Sequence, residues 1–242
     1  MGFQSGPIGR TLRIAAVAVV GLAALEGVAR AQNVGIFQSA VSSDANLGGL
    51  AGADARCELE GTTVIPGSGP WVAWLSTDDS GPGPIENARN RIAVPGGGAY
   101  VRASAPTIVI ATSLAELTDG MLDNPVGILD AAGNPVVTNG IWTGTAPDGT
   151  LAAGLGTCLN WTDGNAPVRV AAGFSSATDS RWTQLPGNPT CDARQFVDPP
   201  HIYCIGPLPT GVSTLPNSAL VALAILLVAS AAYQYRRRQA HD

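Results

Sequence analysis

The chain has 242 residues, of which 45% are apolar and only 13% charged, with a formal charge of −5. Setting aside both ends, for reasons given below, leaves roughly 170 residues, one ordinary domain with volume enough for a core. Between Gln32 and Val212, 7 arginines stand against 16 acidic residues, a balance of −9 that excludes the basic footprint of a nucleic-acid binder.

Residues 1–31 read as a signal peptide: Arg10 and Arg13 precede an apolar run, Ile14 to Leu25, and Ala29-Arg30-Ala31 supplies the small-x-small cleavage pattern. The run is too short for comfortable spanning, which favours removal over retention as an anchor. The 30 glycines and 18 prolines of the chain suit a loop-rich domain with short strands better than a helix bundle. A helix is predicted from Leu47 or Gly49 through Leu59, with Leu50, Asp54 and Cys57 at helical spacing. Trp71 to Ser76 reads as a buried strand, Asp78 to Asn87 as a Gly/Pro/Asp-rich loop, and Tyr100–Arg102 and Thr107–Ala111 as short strands. Ser113 stands three residues before Glu116, a capping box that predicts at least one helical turn.

The stretch from Gly140 to Gly164 organises the rest. Ile141 and Trp142 form a short buried strand, and Pro147-Asp148-Gly149 a turn. A second strand carries Cys158, and Asn160-Trp161-Thr162-Asp163-Gly164 turns again. Trp74, Trp142, Trp161 and Trp182 are the expected structural core.

Four cysteines, Cys57, Cys158, Cys191 and Cys204, in an exported chain point to two disulfides, and spacing alone leaves three pairings open. A zinc site would need closer ligand spacing, yet no CxxC is present and His201 is the one histidine of the domain. The reading therefore assigns no metal and no cofactor.

At the far end, Leu215 to Tyr235 is apolar apart from four polar residues and is followed at once by Arg236-Arg237-Arg238. About 20 apolar residues cross a bilayer and flanking arginines stay inside, so the domain is expected outside the cell and residues 236–242 in the cytoplasm. Residues 207–214, rich in Pro and Gly, read as a linker. This tail resembles the C-terminal sorting signals of bacterial surface proteins, the PEP-CTERM and IPTL-CTERM types, although Val212-Ser213-Thr214-Leu215-Pro216 matches neither short motif cleanly. The resemblance implies at least transient anchoring and a sorting protease as a partner.

Leu47-Gly48-Gly49-Leu50-Ala51-Gly52-Ala53-Asp54 leading to Cys57, then Ala73-Trp74-Leu75-Ser76, Trp142-Thr143-Gly144-Thr145, Cys158 with Asn160-Trp161-Thr162, and Tyr203-Cys204 follow one another in order. Together they resemble a bacterial extracellular domain of unknown function, found in secreted proteins and lipoproteins, Leptospira surface proteins among them. The same order is similar to endostatin. The likeness covers nearly all of Phe37 to Ile205. It implies an α+β, C-type-lectin-like domain over residues 33–206, with Cys57 joined to Cys204 and Cys158 to Cys191. Its calcium-dependent sugar site is not implied, because Arg181-Trp182-Thr183-Gln184 stands where such lectins carry Trp-Asn-Asp, and a hard cation needs several charged oxygens.

Four residues are candidates for ligand binding. Asn160 and Asp163 lie in a polar loop around Trp161, and Arg89 and Arg91 resemble the arginine-bearing helix end of endostatin. Gly173-Phe174-Ser175-Ser176-Ala177 nearly matches a nucleophile elbow but lacks its last glycine. The sequence therefore leads to a non-catalytic, calcium-independent surface module for a glycan or an extracellular protein. The competing expectation is a structural envelope or matrix protein with no ligand of its own.

Overall fold

The computed structural model describes residues 31–92, 98–136, 140–192 and 198–209. Among the described residues seven strands form one mixed sheet: β1 (Val34–Gln38), β2 (Val72–Ala73), β3 (Tyr100–Arg102), β4 (Ala105–Ala111), β5 (Gly140–Trp142), β6 (Ala172–Phe174) and β7 (His201–Pro207). Their order is β4-β3-β1-β7-β5-β6, with β2 also on β7. The right-handed α-helices among the described residues are α1 (Gly49–Val64), α2 (Ala88–Arg91) and α3 (Leu114–Leu117), with a 3-10 turn at Ser180–Trp182.

β7 is the central strand. One edge pairs antiparallel with the whole of β1, from Gln38↔Tyr203 to Val34↔Pro207. The other edge is shared by β5, at His201 and Ile202, and by β2, at Cys204 and Ile205. The two ends of the domain therefore lie side by side. Alternate residues of β7 enter two apolar clusters: Ile202 and Cys204 join Trp71, Trp142 and Trp161, while Tyr203 and Ile205 join Trp74 and Trp182. A strand covered on both faces must be apolar or small at nearly every position, as this one is. All four tryptophans expected in the core are fully buried. Trp71 is buried as well, its indole against Gly35, Gly61 and Gly206, where a Cβ would come within 2.8 Å or less of the ring.

α1 begins at Gly49, one of the two expected starts, and buries Ala53, Cys57 and Gly61, a run at i, i+4 and i+8. It stops where β-branched residues meet Pro66, which cannot continue a helix. The capping box is present in a shifted form. Ser113 Oγ accepts the Glu116 amide at 3.2 Å, but the Glu116 carboxylate turns back to the Thr112 amide instead of that of Ser113.

Several expectations need correction. The strand expected over Trp71–Ser76 shortens to Val72–Ala73, because the Leu75 amide folds back on the Ala73 carbonyl. Trp74 and Ser76 nevertheless bond Tyr203 and Thr143, filling the gap between β7 and β5. The expected linker starts later than Pro207, since that residue ends β7 and Leu208 is buried with its amide on Asn33. Among the described residues no helix is long and apolar enough to cross a membrane. The expected signal peptide up to Arg30 and the expected span at 215–235 with its basic tail lie outside the described residues.

The largest departure is at Cys158. The second strand expected there is a left-handed helical turn, Cys158–Trp161, with φ of 56°, 52°, 52° and 66°. Each non-glycine residue in this region costs roughly 1–2 kcal/mol. The turn is held by the Cys158–Cys191 disulfide, by Thr157 Oγ1 accepting the Asn160 amide at 3.2 Å, and by Leu47 donating to the Trp161 carbonyl at 2.8 Å. Leu159 is 41% exposed at φ 52°, so it gains little from burial and carries the strain. Leu159→Gly is therefore expected to raise the melting temperature by about 2–4 °C in thermal unfolding, the equivalent of about 1 kcal/mol. A fall of the same size would contradict the strained turn.

Candidate functional site

The site is built on a buried guanidinium. Asp54 lies one turn before Cys57 on α1, near the sheet, and a carboxylate there needs a cation or several N–H groups. It obtains both. Asp54 Oδ1 accepts the Ala73 amide of β2 at 2.9 Å, and Arg91 Nη2 bonds both Asp54 oxygens, at 2.7 Å to Oδ1. Arg91 Nη1 reaches the Ala73 carbonyl at 2.7 Å, and Nε stands 3.2 Å from Glu86 Oε2. The Arg91 side chain is 8% exposed, against 30% for Asp54 and 38% for Glu86, so the carboxylates and not the cation face solvent.

The opposite wall is built by Asn160, which is fully buried. Its amide donates to the carbonyls of Asp78 and Pro82, and its oxygen accepts the Asp78 amide at 2.9 Å and the Thr157 hydroxyl at 2.8 Å. The left-handed turn is what aims this side chain at the 78–84 loop. Thr77 closes the base of that loop, its hydroxyl donating to the Pro84 carbonyl at 2.7 Å and accepting the Glu86 amide at 2.8 Å. Between α1, the loop and the turn lies a cavity of about 450 Å³ lined by Asp54, Glu86, Arg91, Asn160, Pro82 and Thr162, among others. That volume is within the range of small-molecule sites.

Residues 40–179 match the protein family of unknown function DUF1554. The chain belongs to that family. The DUF1554 match spans α1, the loop, α2 and the left-handed turn, and so contains every cavity residue named above, while Trp182, Cys191 and β7 lie beyond it. No curated protein matches the chain.

Of the four candidate residues, the DUF1554 cavity brings Arg91 and Asn160 together and leaves Arg89 and Asp163 outside. Arg89 points away, packing on Gly149 and donating to the Asp148 carbonyl at 3.3 Å, so the two arginines form no shared basic patch. Asp163 accepts the Asn165 amide in a local turn. Asp54 and Glu86 were missed as site residues. The signal for Asp54 was its spacing with Leu50 and Cys57, which places an acid beside the buried face of a helix.

Both disulfides have the pairing expected from the sequence resemblance, Cys57–Cys204 and Cys158–Cys191. Among the described residues no three His, Cys, Asp or Glu side chains are grouped to hold a metal ion. The near-elbow at Gly173 places Ser175 in the core, its Oγ without a hydrogen-bond partner among the described residues. His201 is not bonded to it: Nδ1 faces the Ser39 carbonyl at 2.6 Å, and Nε2 has no hydrogen-bond partner among the described residues.

Burial holds the His201 imidazole below its ordinary pKa of 6.5, and Arg56 pushes the same way, against the Ser39 carbonyl and Asp198. The folded state therefore prefers neutral His201. The stability this brings is complete above the unfolded value near 6.5 and is lost as pH falls through the lower folded value. Denaturant unfolding between pH 7.5 and 5 should show declining stability in the wild type and a flatter profile in His201→Gln. Identical slopes would contradict the assignment.

Proposed function

We propose that this DUF1554 domain is a non-catalytic, calcium-independent, C-type-lectin-like binding module displayed on the outside of a bacterial cell, where it holds a glycan or an extracellular protein. The observation that carries this reading is the cavity between α1 and the 78–86 loop. It is roofed by a loop that Asn160 and Thr77 clasp, and it presents carboxylate oxygens at its mouth. Rigid walls with a few fixed polar groups favour binding, because little conformational freedom is lost on capture. Two carboxylates around one buried guanidinium favour neutral, hydroxyl-bearing ligands over anionic ones. Calcium independence is supported by the residues at the lectin position. Trp182 is in the core and Thr183 Oγ1 accepts Trp74 Nε1 at 3.0 Å, so neither is free to ligate. Two disulfides suit an oxidising compartment. The signal peptide, the C-terminal helix and a sorting protease complete the proposal from the sequence.

A structural role without a ligand is favoured by one observation, that Asn160 and Arg91 direct their hydrogen bonds inward. The two readings separate on an array of glycans and matrix proteins probed with the oxidised full chain. The binding module predicts a discrete set of positive spots that Thr162→Trp, which fills the cavity from its wall, abolishes while the melting temperature stays within about 3 °C. No signal from folded, oxidised protein, or signal unchanged in the variant, would overturn it.

A further inference from the structure

A second concavity, independent of the first, lies between the C-terminal half of α1 and the turn at residues 130–132. It has a volume of about 400 Å³, and Ala40, Leu59, Val64 and Ala132 give it apolar walls. Leu59 is 69% exposed and Val64 41%, so the apolar wall they form is open to solvent. The charged residues lining it are both acids, Glu60 and Asp130.

Glu60 is incompletely partnered. One oxygen, Oε2, accepts the Ala40 amide at 2.7 Å, while Oε1 is buried without a hydrogen-bond partner among the described residues. Desolvation raises the Glu60 carboxyl above its ordinary range, and Asp130 adds to this, against the pull of the Ala40 and Val41 amides and of Arg56 one turn earlier. Arg56 directs its own guanidinium to Ser43 Oγ at 3.1 Å. Asp130 has its carboxylate in a local turn with Ala132 and Asn134. Two acidic side chains in the lining of an otherwise apolar groove are complementary to a cation carried on an aliphatic stem. Arginine and lysine have that form, with methylenes for the walls and a charged head for the acid.

We infer that this groove docks a protein partner through a basic side chain set in an apolar segment, the stem along Leu59 and Val64 and the charged head at Glu60 and Asp130. The charged head would stand against the Glu60 and Asp130 carboxyl groups that line the groove and would hold Glu60 ionised.

The test is a titration of the ¹⁵N-labelled full chain with the peptide acetyl-Leu-Arg-Leu-amide, and with the same peptide carrying citrulline in place of arginine. The proposal predicts saturable shifts at the amides of Ala40, Leu59, Val64 and Ala132, with affinity at least about tenfold lower for citrulline. It also predicts loss of those shifts in Glu60→Gln. Because Glu60 supports the Ala40 segment, Thr63→Trp serves as a second variant, filling the groove from an exposed helix position without touching that contact. Equal affinity for the two peptides, binding retained in Thr63→Trp, or no shift at these amides would overturn the proposal. So would concentration-dependent shifts of the same amides without peptide, which would make a second copy of the chain the occupant.

Discussion

The interaction on which the rest of this structure leans is the bond between Arg91 and Asp54. It joins the first helix to the segment that carries the second strand, because Asp54 also accepts the Ala73 amide and Arg91 also donates to the Ala73 carbonyl. Four polar groups from three parts of the chain are satisfied at once. A partly buried ion pair of this kind contributes less through attraction than through what its loss would leave behind, hydrogen-bonding groups without their partners beside the sheet. It therefore specifies an arrangement. α1 can pack on the sheet only where its carboxylate meets the guanidinium, and the cavity opens where the pair meets solvent.

The disulfides fix the same geometry from two other directions. Cys57–Cys204 lies one turn along α1 from Asp54 and ties the helix to the central strand. Cys158–Cys191 secures the left-handed turn from which Asn160 reaches the loop. The strained turn and the cavity wall are thus one feature, since an unstrained strand at Cys158 would not direct the Asn160 amide to Asp78 and Pro82. Strain held by a crosslink and four side-chain hydrogen bonds is a common way to position a polar group. Here that group serves the loop, and the loop in turn forms the cavity.

Much of the fold could be read from the residues. Helical spacing located α1, the tryptophans marked the core, and the family likeness implied which cysteines meet. What stayed hidden has a physical explanation in each case. The Asp54–Arg91 pair joins residues 37 apart, and no local pattern announces such a partner. The turn at Cys158 contains no glycine, so the usual marker of positive φ was missing, and only Asn160, a residue that tolerates that region, hinted at it. β2 was overestimated because Trp74 and Ser76 have strand-like burial and hydrogen bonds without strand geometry at Leu75. Arg89 and Arg91 looked like one basic patch on paper. A single turn of helix sends them to different places, one to the surface at Asp148 and one into the protein.

The central claim is that one buried guanidinium–carboxylate contact sets both the packing of α1 and the position of the cavity. A double-mutant cycle in chemical denaturation tests it most directly, with Asp54→Asn, Arg91→Met and the pair together, all in the oxidised chain. A coupling energy of about 1 kcal/mol or more is expected, because the two side chains share a bidentate contact that either single change removes. Additive effects, with coupling below about 0.5 kcal/mol, would show that the two residues are merely neighbours and would contradict the account.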